Sequence, residues 1–152
     1  MATMKRHEAR EEVFRLLFET EFHGELSPQQ IYDLAREDRD FADDPYIRRT
    51  YFGVREKLPE IDAMIARHAK GWRTDRIAPV SRNIMRLCVY EMQWGRDVPV
   101  AVALNEAIEL DKTFDEPRAR AFVNGVLNGV KEELKAAPDA TGTAEEPKDG
   151  EA

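Results

Sequence analysis

The chain has 152 residues, 42% of them hydrophobic, with a formal charge of −7 and a mean hydropathy of −0.61. Its longest uncharged run is ten residues, Ala121–Val130, which excludes a membrane-spanning helix in the sequence, since that needs about 20 apolar residues. One cysteine excludes an internal disulfide, and an N-terminus charged from residue 5 onward shows no apolar leader, so a cytoplasmic protein is expected, with no membrane partner.

The first element is an amphipathic helix. Ala9, Val13, Leu16, Leu17 and Thr20 recur at helical spacing, and Lys5, Arg6 and Arg10 open the segment. Prolines then punctuate the chain at Pro28, Pro45, Pro59, Pro79, Pro99 and Pro117, each followed by a helical apolar pattern. Proline suits a first helical turn, where its missing N–H would have no intrahelical partner. Ser27 with Gln30 forms a capping box before the second helix, and Asp44 caps the third. Gly24, Gly71 and Gly95 stand where periodic segments stop. The fifth segment carries Ile84, Leu87, Cys88 and Glu91 on one stripe; the last carries Phe122, Val123, Val126, Leu127 and Val130. No stretch alternates with period two. The fold class is therefore all-α, with seven helices.

The expected domain is residues 1–135. From Ala136 to Ala152 the chain holds no aromatic or branched aliphatic residue, so a disordered acidic tail is expected there. The charge is unevenly spread: residues 46–96 hold eleven basic and five acidic groups, a basic centre between acidic ends.

Catalytic chemistry has little support. His7, His23 and His68 share no metal-ligand spacing, and no phosphate-binding loop or nucleophile elbow is present. Cys88 lies on an apolar stripe and reads as a packing residue. No enzyme, no metal and no cofactor are expected.

Three blocks point to a family. They are Asn83-Ile-Met-Arg-Leu-Cys-Val-Tyr-Glu-Met92, Asp97-Val-Pro-Val-Ala-Val-Ala-Leu-Asn-Glu-Ala-Ile-Glu-Leu110 and Arg120-Ala-Phe-Val-Asn-Gly-Val-Leu127. In this order, behind the Arg6-x-x-x-Arg10 helix, they closely resemble the NusB family of transcription antitermination factors over about residues 5–134. The resemblance implies seven helices in two subdomains. It also implies binding of single-stranded boxA-type RNA from ribosomal RNA leader transcripts, jointly with the NusE-type small-subunit ribosomal protein, in an antitermination complex on RNA polymerase.

By the same resemblance the first helix and the start of the last meet on one RNA surface. Lys5, Arg6, Arg10, Arg118 and Arg120 would take phosphates, and Phe122 would stack on a base or else fill the core. An inward Asn124 would bond a neighbouring backbone, and Gly125 would allow close helix packing. The basic centre, Arg73, Arg76, Arg82 and Arg86, is open to either RNA or partner contact, with Arg82 and Arg86 the partner candidates and Arg86 alternatively bonding an inward carboxylate such as Glu91. This sequence departs from the family at Glu8, Glu11 and Glu12, which interrupt the N-terminal arginines, and at Asp111, where alanine is common. A stand-alone RNA-binding module of ribosome assembly, a helical oligomer without specific RNA binding, and a homodimer remain as other readings.

Overall fold

The computed structural model describes residues 4–95 and 97–136. The expected tail beyond Ala136 lies outside the described residues. Seven helices run α1 Arg6–Glu21, α2 Pro28–Arg39, α3 Pro45–Glu56, α4 Leu58–His68, α5 Pro79–Trp94, α6 Val100–Phe114 and α7 Arg120–Ala136. Short 3₁₀ turns at Thr74–Arg76 and Pro117–Ala119 precede α5 and α7, and no strand occurs among the described residues.

The local signals act as their chemistry requires. Ser27 Oγ accepts from the Gln30 backbone N–H (3.1 Å) while Gln30 Oε1 accepts from the Ser27 N–H (2.8 Å), so two orphan donors of α2 are satisfied together. Asp44 Oδ1 accepts from the N–H groups of Tyr46 and Ile47. Past α4, Lys70 and Gly71 both take positive φ, +44° and +88°, and turn the chain out of the helix.

α5 organises the molecule. Residues Ser81 to Met92 are all buried, because α1, α3, α4, α6 and α7 pack around this one helix. α1 to α3 form one group and α4 to α7 the other, and both share α5. α7 closes against α4 through a glycine, Gly129: a Cβ there would lie 2.5 Å from His68 Nδ1. The expectation that Gly125 plays this part is corrected, since Gly125 faces open space on the exposed side of α7.

Candidate nucleic-acid interface

The first basic patch is the start of α1. Lys5, Arg6 and His7 are exposed there, and the Arg6 guanidinium lies over the Tyr46 ring, 4.2 Å from its centroid. His7 bonds Glu106 (3.2 Å) and sits 3.2 Å from Glu11; the Glu106 bond leads the contributions that raise its pKa above the ordinary histidine value. Its positive charge therefore persists to higher pH than usual.

Arg10 does not share that surface. One turn further on, it is only 4% exposed, and its Nε donates to both Glu91 oxygens at 2.9 and 3.2 Å. Tyr46 Oη donates to the same carboxylate at 2.6 Å. Burial opposes the charge on Arg10, but the Glu91 bond and charge outweigh it and hold the guanidinium protonated. The expectation of Arg10 on the RNA face is thus corrected to a buried tie between α1, α3 and α5. Its cause is tertiary: Glu91, eighty-one residues away, lies opposite it.

A second tie corrects the expectation for Arg82 and Arg86. Both are 8% exposed. Arg82 Nε donates to Glu21 (3.0 Å) and its Nη1 to the Thr74 and Ile77 carbonyls, while Arg86 bonds Asp62 (2.9 Å) and Glu21 (2.8 Å). Asn83 Nδ2 also donates to Glu21, at 2.7 Å. Burial works against ionisation of Glu21, yet the bonds from Arg82 and Asn83 and the charges of Arg82 and Arg86 hold it below the usual carboxylate range. These arginines are committed inside the fold, leaving no free guanidinium for a partner. Glu91 belongs to Arg10, so it is not the partner of Arg86.

The start of α7 forms a second patch. Arg118 is 87% exposed in its side chain and paired with Glu116 at 2.8 Å. Arg120 is half-buried, with its Nε shielded and unpartnered. Phe122 is also half-buried: it packs on the core and meets Trp72 edge-on, 6.3 Å between ring centres. Asn124 is half-buried, and its carbonyl accepts from Asn128 Nδ2 (2.8 Å).

The two patches are not one surface. α5 runs antiparallel to α1, since Arg82 near its start meets Glu21 and Glu91 near its end meets Arg10. Lys5 and Arg6 therefore lie by the end of α5, whereas Ser81 Oγ donates to Asp115 Oδ2 (2.5 Å) and sets the approach to α7 by its beginning. The 16 residues of α5 rise about 24 Å. The expected meeting of the α1 and α7 patches is not seen: the two basic patches lie toward opposite ends of α5.

Trp72 is an exposed aromatic residue that no periodic pattern or family block singles out. It is 55% exposed on the turn after α4, beside Arg73 and Arg76. The signal was available in Lys70-Gly71-Trp72-Arg73, where an aromatic residue stands among cations in a loop. Asp111 is the other departure with a structural consequence: it is 2% exposed, and neither carboxyl oxygen has a hydrogen-bond partner. Burial and the nearby Asp115 push its pKa up to about 7, against the pull of Arg120.

Nothing described resembles an acid–base or metal centre. Cys88 is buried, with Sγ 3.5 Å from the Ala103 carbonyl, and burial pushes its thiol well above the ordinary range. No group of three or more His, Cys, Asp or Glu among the described residues could hold a metal, and no helix there is long and apolar enough to cross a membrane.

Fold and surface together define a small all-helical protein that displays basic and aromatic groups at the two ends of a buried central helix. The sequence profile of the NusB family matches residues 7–132. The chain is 42% identical to the transcription antitermination protein NusB of Bacillus pumilus and 39% identical to that of Bacillus subtilis, each over 132 residues covering 87% of this chain and 98% of the relative. Among solved structures it superposes on Thermotoga maritima NusB with a TM-score of 0.76 and 32% identity, covering 87% of this chain and 94% of the other. The chain belongs to the NusB family.

Proposed function

We propose that the chain is a non-enzymatic transcription antitermination factor. It binds boxA-type single-stranded RNA of ribosomal RNA leader transcripts together with the NusE-type small-subunit ribosomal protein, within the antitermination complex on RNA polymerase, in the cytoplasm. The observation that carries this reading is the extent of the match: at 39–42% identity it spans 98% of the length of relatives named as antitermination proteins. Exposed Lys5 and Arg6 at one end, and Arg118 at the other, supply cations for phosphates; Phe122 supplies a ring for a base. Arg10, Arg82 and Arg86 serve by holding α1, α3 and α4 on α5.

A protein partner needs an apolar face to cover. Phe14, Phe18 and Phe22 run in tilted contact along and just past α1, Phe14 meets Phe114 at 4.7 Å, and Phe14, Phe18, Phe114 and Val80 line a groove of about 230 Å³ with Arg15 and Glu19 at its rim. Phe22 is 57% exposed. The same face gives a second copy of the chain a place to dock.

The deciding experiment titrates the protein with boxA-like RNA, with and without the NusE-type protein. Sequence-specific binding that the partner strengthens and salt weakens is expected. Equal, weak binding to scrambled RNA with and without partner would overturn the reading. Size measurements of wild type and Phe22→Glu then separate heterodimer from homodimer, since the variant should lose whichever association uses this face.

A further inference from the structure

The turn between α4 and α5 holds a group that neither the core nor the ion-pair ties use. Two consecutive residues of positive φ, Lys70 and Gly71, lead into Trp72, whose N–H donates to the Ala69 carbonyl (3.2 Å). That backbone bond fixes the main chain at Trp72, and the residue is 55% exposed. Exposing so large an apolar ring forgoes burial that would stabilise the fold, so its position points to a ligand.

The surroundings say which ligand. Trp72 and Phe122 meet edge-on at 66° rather than face to face, and Trp72 stays 55% exposed. A cavity of about 330 Å³ opens beside Trp72, lined by Gly71, Trp72, Arg73 and Arg76, with Phe122 outside its lining. Arg73 is forked onto Asp75 at 3.0 and 2.6 Å, but Arg76 is exposed and has no carboxylate partner among the described residues. Residues 70–76 hold three cations, Lys70, Arg73 and Arg76, against one anion, Asp75. Open aromatic faces beside cations fit unpaired nucleotides, whose bases stack and whose phosphates are anionic.

We infer that Trp72 and Phe122 form a two-ring platform for unpaired RNA bases, with Arg76 taking a flanking phosphate. This rests on the RNA-binding reading above and adds to it Trp72 and Arg76, which lie outside the three sequence blocks of the family.

Trp94→Phe leaves Trp72 as the sole tryptophan, so its emission reports on the platform. In that background, boxA-like single-stranded RNA should quench Trp72 in step with binding. Trp72→Ala should weaken RNA affinity about 5- to 150-fold with an unchanged salt slope, and Trp72→Phe should restore most of the loss. Arg76→Ala should instead flatten the log–log salt slope by about 0.7. Circular dichroism should match wild type, because Trp72 lies on an exposed turn. Wild-type RNA affinity in Trp72→Ala, with Trp72 emission unmoved at saturation, overturns the platform while RNA binding by the protein stands. Loss of affinity for the NusE-type protein alone would assign the ring to a protein contact and overturn it too. Failure of the wild type to bind RNA overturns both this inference and the reading beneath it.

Discussion

Arg6 and Arg10 sit one helical turn apart, yet one faces water over Tyr46 and the other is sealed against Glu91. Arg10→Ala leaves a buried carboxylate without its cation, so it should cost about 3–5 kcal/mol in urea denaturation. Lys5→Ala with Arg6→Ala should cost less than about 1 kcal/mol, the scale of an exposed cation–π contact, while flattening the RNA salt slope by about 1.4. The glycines of α7 separate in the same way. Gly125→Ala meets open space and should stabilise the helix by about 0.5–1 kcal/mol; Gly129→Ala drives a methyl into His68 and should destabilise it in the same thermal melts.

At the scale of elements, the joint between α6 and α7 holds a buried acid. Asp111 is raised to about 7 by burial and by Asp115, well above an unfolded aspartate. The folded state therefore binds the extra proton. Its contribution to stability is complete below about pH 4, declines as pH rises, and is lost above about pH 7. Asp111→Asn keeps the shape without the charge. The variant should match wild type in acid and exceed it in melting temperature at about pH 8; a constant difference across that range would contradict the assignment. The residues facing this acid are Ser81 through Asp115 from α5, Asp115 from the end of α6, and Arg120 from α7.

For the whole molecule, the two candidate RNA patches lie toward opposite ends of α5, whose 16 residues rise about 24 Å. An RNA long enough to reach both should lose affinity when either Lys5 and Arg6 or Phe122 is replaced by alanine. An oligonucleotide too short to span α5 should respond to one of these changes and ignore the other. Competition titrations with a length series would show a step in affinity where the second patch is reached, and its absence would mean that one patch alone binds.

Helix number, helix starts and caps were legible in the sequence because they depend on neighbours a few residues away: Ser27 with Gln30, Asp44 before Pro45, proline in a first turn. Cys88 was legible as core from its place on an apolar stripe, and the three blocks of helices five to seven carried the family. Side-chain fate was not legible where it depends on a partner far along the chain. The sequence shows Arg10, Arg82 and Arg86 as cations; only packing brought Glu91, Glu21 and Asp62 against them, and so took them from the surface. It marked Gly125 for close packing, but α4 meets α7 one turn further along, at Gly129. Trp72 stands outside every periodic stripe, and its use follows from a turn that aims it at Phe122, fifty residues on. Local chemistry determined which elements form; the antiparallel fit of α1 on α5 decided which charges remained free to bind.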